Sequence, residues 1–123
     1  MQINIKMKPK WYSFDKHTKL LIGVPTTKEL MMMMSLSQSD IEKYTDLLKK
    51  LFITHVKDWE GMFDNNNKEI KCNNKNKKSV FDVEYPITGF FVTSILDRQK
   101  EMTDNIIKLV DVKKKLEEGE EEK

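Results

Sequence analysis

From residue 41 onward the apolar positions Ile41, Tyr44, Leu48, Leu51, Phe52, Val56 and Trp59 recur at spacings of three and four, with Glu42, Lys43, Asp46, Lys49 and Lys50 mostly between them. That period gathers apolar side chains into one stripe of an α-helix and predicts an amphipathic helix over Asp40 to Trp59. Ser39 and Glu42 stand in capping-box spacing at its start, and Gly61 marks its stop. Nearer the N-terminus, Ile3, Ile5 and Met7 alternate with Asn4, Lys6 and Lys8, the period of a half-buried strand, which Pro9 ends. "KPKWYSFDKHT", with Trp11, Tyr12 and Phe14, reads as a polar connection, and "KLLIGV", closed by Pro25, as a second strand. In "ELMMMMSLS" methionine favours helix, whereas the short length and turn-like borders favour a third strand, which is the expectation adopted. A flexible methionine surface for binding partners is the functional alternative.

After the helix, "EGMF" and "KEIK" flank "DNNN". Asp64 can cap a turn through an Asx bond, and Asn67 can take the left-handed conformation that otherwise calls for glycine. The pattern predicts a β-hairpin with Trp59 packed beneath it, so Trp59, Gly61, Asp64 and Asn67 are the expected structural anchors. Asn73 to Ser79 is lysine-rich without apolar period and reads as an exposed loop. Val80, Phe81 and Val83 suggest a turn of helix or a short strand, and Tyr85-Pro86 an extended residue or a helix entry. Ile95, Met102, Leu109 and Leu116 then fall seven apart, with Phe91, Ile106 and Val112 on the same side. They predict a C-terminal helix of about 25 to 30 residues, whose stripe of Met102, Ile106, Leu109 and Leu116 is the expected partner-binding surface. Together these elements make one α+β domain over 1–116: short N-terminal antiparallel strands, central amphipathic helix, β-hairpin, long C-terminal helix. Residues 117–123, "EEGEEEK", are expected to form a disordered acidic tail.

Composition narrows the function classes. Basic and acidic residues number 22 and 20, and Arg98 is the lone arginine, which argues against nucleic acid because the bidentate fork for bases and phosphates is missing. The lysines from Lys68 to Lys78 leave a nonspecific phosphate contact as an alternative. One cysteine, Cys72, excludes an internal disulfide, and His17 and His55 are too few for most zinc sites. A calcium loop counted from Asp64 would need an oxygen ligand, glycine and glutamate where Lys68, Glu69 and Lys75 stand. His55 has no nucleophile partner in the sequence pattern, and Lys71 and Lys75 are weak grounds for an activated Cys72. No catalytic, cofactor or metal residues are expected. The longest apolar run, Leu30 to Met34, is far below the roughly 18 to 20 residues of a membrane span, so a cytoplasmic protein is expected.

The segment "VKDWEGMFDNNNKEI" resembles the motif "V..W.GV.D.DG.E.." of small tail assembly chaperones of tailed bacteriophages and prophages. The order "MMMMSLSQSDIEKY", helix, "WEGMFD", helix is similar to that family's plan over roughly Glu29 to Met102. Its turn glycine falls on Asn67, and the proline-and-aromatic segment that often follows is replaced by "IKCNNKNKKSVF". The resemblance implies a noncatalytic protein of the bacterial host cytoplasm. Such a protein keeps the long tape measure protein soluble and helps recruit tail tube subunits. A head–tail connector or tail-completion protein is the alternative within the same setting, and a small nucleic-acid-binding protein the alternative outside it.

Overall fold

A computed structural model describes residues 7–101 and residue 104. The fold is α+β, with a three-stranded antiparallel sheet and four helices. The strands are β1 (Lys10–Ser13), β2 (Lys19–Ile22) and β3 (Val56–Glu60), in the order β1-β2-β3. The helices are α1 (Thr27–Ser39), α2 (Ile41–His55), α3 (Asn74–Val83) and α4 (85–101). Among the described residues no helix is long and apolar enough to cross a membrane.

The first expected strand falls mainly on residues 1–6, outside the described residues, and Met7 to Pro9 carry no regular structure. The strand preceding β2 is instead "KWYS", inside the segment read as a connection. Tyr12 and Leu20 pair across β1 and β2. The turn between these strands is built by Asp15, whose carboxylate accepts from the amides of His17 and Thr18 at 2.8 and 2.7 Å. Those two amides hold the Asp15 carboxyl below its ordinary value.

The methionine run is helix, not strand. Thr26 and Glu29 form a reciprocal capping box at its start, which satisfies two of the amides a helix N-terminus leaves without intrahelical partners. Leu30 and Met33, three apart, are the residues it buries. Asp40 ends α1 in extended geometry and caps α2, its side chain accepting from the Lys43 amide at 3.1 Å. The cap of α2 is therefore Asp40, and the expected Ser39 turns its hydroxyl back to the Ser35 carbonyl.

Helix α2 stops at His55, four residues short of the expected end, and the chain enters β3 at once. Val56 and Trp59 keep helical spacing yet sit on a strand. Ile22 pairs with Val56 and Leu21 with Asp58, leaving Lys57 as the extra residue of a bulge. The bulge resets the two-residue alternation, so that Val56 and Trp59 both reach the core.

The core gathers Leu20, Ile22, Val56 and Trp59 of the sheet with Phe52, Phe81 and Phe91 from three helices. Phe52 of α2 is its centre, 5.1 Å edge-to-face from Phe91 and 5.7 Å from Phe81. The segment expected to be an exposed loop is helix α3, capped by Asn73 on the Asn76 amide. Its inward face is Lys77, Val80 and Phe81. Lys77 buries its aliphatic stem and donates from Nζ to the carbonyl of Ile53 at 3.1 Å, satisfying an orphan acceptor in the last turn of α2.

Helix α4 enters at Tyr85-Pro86, as the sequence allowed, and is tied by polar contacts to β1 and to the segment just before it. Tyr12 donates to Asp97 at 2.7 Å, and Arg98 donates to the Lys8 carbonyl at 2.6 Å. Partial burial, then the Asp97 carboxylate, push the Tyr12 hydroxyl up to about 12, which keeps it a donor at neutral pH. The later part of the expected C-terminal helix and the expected disordered tail 117–123 lie outside the described residues.

The pair Glu29–His55 fastens α1 to the end of α2, with His55 Nε2 at 3.0 and 3.2 Å from the two carboxylate oxygens. Partial burial raises the Glu29 carboxyl, but the Thr26 amide and the His55 ring outweigh it and hold the group below its ordinary value. A carboxyl lowered on folding contributes stability above its unfolded value, about 4.3, that is lost as pH falls through the folded value. Glu29→Gln is expected to lower the melting temperature at pH 7 by about 3 to 6 °C. It should also flatten the decline of stability below pH 5, as thermal unfolding across pH will show.

Candidate functional site: an exposed methionine face

Helix α1 has a use for only part of its methionine run. Met33 is buried, but Met31, Met32 and Met34 are 66%, 43% and 61% exposed. Positions 31 and 34 are one turn apart and lie on the same side of the helix. The thioether of Met34 meets Gln99 Nε2 of α4 at 3.9 Å, and Leu96, one turn earlier on α4, is also exposed. Ile41, at the corner between α1 and α2, is exposed as well. Methionine has three rotatable bonds and a polarizable sulfur, so such a face adapts to apolar partners of differing shape.

The helix carrying this face is held firmly. Its capping box and the Glu29–His55 contact fix one end, and the Asp40 amide, donating to Leu36 at 3.1 Å, fixes the other. The signal for this helix is in the sequence: "TTKE" has the same capping-box spacing as Ser39 to Glu42.

The four expected anchors do come together. Trp59 is buried and its Nε1 donates to the carbonyl of Ile70 at 2.7 Å, pinning the turn to β3. Its place is the strand, not the helix. Gly61 has φ +77, and a Cβ there would stand 1.8 Å from the His17 carbonyl oxygen. It ends β3 and not α2. Asp64 Oδ1 accepts from the amides of Asn66 and Lys68 at 2.8 and 3.0 Å, and Asn67 is left-handed with φ 59. The hairpin itself is short, a single bridge between Phe63 and Glu69. The expected partner stripe, Met102, Ile106, Leu109 and Leu116, lies outside the described residues.

His55 is committed to Glu29, and burial pushes the Cys72 thiol up, with the Lys77 charge pulling the other way. Among the described residues no group of three or more His, Cys, Asp or Glu is placed to hold a metal ion. The lysine segment that could have served phosphates has Lys77 turned inward. No protein-family description, curated protein or solved structure matches the chain.

Proposed function

We propose that this chain is a noncatalytic phage tail assembly chaperone. Its methionine face on α1 binds apolar helical stretches of the tape measure protein, and the complex recruits tail tube subunits. The observation that carries the reading is the exposure of Met31, Met32 and Met34 on a helix whose ends are capped and tied. A long partner rich in apolar repeats offers many similar but unequal surfaces, and a rigid helix bearing flexible side chains suits that task. The convergence of Trp59, Gly61, Asp64 and Asn67 in one turn supports the resemblance on which the partner's identity rests. The stripe of Met102, Ile106, Leu109 and Leu116 is proposed to extend the same contact.

Co-expression tests this reading. The chain is expected to raise the soluble yield of the tape measure protein and to co-purify with it. Met31→Lys/Met34→Lys should abolish both effects while leaving the melting temperature within about 2 °C, because surface substitutions away from special features change little. Unchanged yield with the wild-type chain, or full rescue by the double variant, contradicts the proposal.

A further inference from the structure

A second surface lies away from α1, where the Trp59-anchored turn meets the α3–α4 corner. Two hollows of about 550 Å³ and 260 Å³ adjoin there and share Ile70, Val80 and Glu84 in their walls. Phe14, Phe63 and Pro86 line the smaller one. Phe63 and Val83 leave most of their surface in solvent. Among the described residues lining the larger hollow, Asp64, Glu69 and Glu84 set three carboxylates against the single ammonium of Lys71. None of these four forms an ion pair among the described residues. Lys75 and Lys78 of α3 do not line the hollow.

We infer that this groove docks a partner segment that presents an apolar anchor flanked by lysine or arginine. The apolar hollow beside Phe14 and Phe63 takes the anchor, and the carboxylates of Glu69 and Glu84 select the flanking charge. Charge complementarity of this kind sets specificity and association rate more than raw affinity. It is also weakened by salt, since the carboxylates are exposed. The floor is rigid, because Trp59 bonds to Ile70 and Thr18 donates to the Gly61 carbonyl at 3.0 Å. The groove therefore needs little ordering when it binds, which favours affinity.

The probe is a fluorescein-labelled peptide with a Phe-Leu pair between flanking lysines, titrated against the full chain at low salt. It is expected to bind at least about tenfold more tightly than the same peptide with flanking glutamates, and to lose binding when Phe-Leu is replaced by Ala-Ala. Glu69→Lys/Glu84→Lys should reverse the preference between the two charged peptides. Should that variant melt differently from the wild type, Phe63→Ser at the exposed ring is expected to weaken the lysine peptide to the same degree. Met31→Lys/Met34→Lys should leave peptide binding unchanged, which separates this groove from the proposed chaperone face. Equal binding of the two charged peptides overturns the inference, as does a preference that survives Glu69→Lys/Glu84→Lys in a variant that melts like the wild type, or lysine-peptide binding that Phe63→Ser leaves unchanged. Loss of binding on the α1 variant does so too.

Discussion

Trp59→Ala is expected to leave the protein largely unfolded at 25 °C. The indole is buried to 4% exposure in the cluster formed by β2, β3 and the helices, and large-to-small aromatic changes in cores cost about 3 to 5 kcal/mol. The substitution also removes the Nε1 bond to Ile70, worth about another 1 kcal/mol, and with it a side-chain hydrogen bond that ties β3 to the far arm of the turn. Against a total stability of about 5 to 15 kcal/mol for a domain, that loss consumes most of the margin at the lower end. Urea unfolding followed by far-UV circular dichroism measures it directly. A Trp59→Ala protein with the wild-type midpoint would mean that the indole is a surface contact and not an anchor.

Two glycine-to-alanine substitutions are expected to act in opposite directions. At Gly61 the backbone is left-handed and a Cβ would collide with the His17 carbonyl, which belongs to the turn preceding β2. Relief requires moving β2 against β3 at the pair Lys19–Glu60, so Gly61→Ala should cost about 3 to 5 kcal/mol, the diagnostic end of single-residue effects. Gly89 lies in α4 with nothing within 4 Å of an added Cβ. Gly89→Ala should stabilise the protein by about 0.5 to 1 kcal/mol, the helix penalty of glycine. Melting temperatures of the two variants, falling in one and rising in the other, check both.

Where one structure produces one period, the sequence was readable. Helix α2 over Ile41–His55 and strand β2 at the start of "KLLIGV" lie within the segments expected for them, and the turn through Asp64 and Asn67 follows from side chains that bond their own backbone. The misreadings have physical causes. A bulge at Lys57 gives a strand the three-residue spacing of a helix, so the apolar period runs on from α2 through Val56 and Trp59. Strand β1 is exposed at three of its four positions and shows no alternation to read. In α3 the inward face needs the stem of Lys77 to count as apolar, which no hydropathy pattern records. Helix α1 differs most from the strand expected of its sequence. Four consecutive methionines erase the contrast between faces, and beyond the helix propensity of methionine the capping box at Thr26 and Glu29 is what tells helix from strand. The same uniformity leaves methionine on the solvent side, so the element hardest to assign is the one proposed to bind.

Peroxide footprinting of the complex tests the methionine face most directly. With the tape measure protein bound, Met31 and Met34 are expected to oxidise several-fold more slowly than in the free chain. Met62, already buried, should react slowly in both states. Equal oxidation of Met31 and Met34 in the free and bound chain would contradict a binding role for α1.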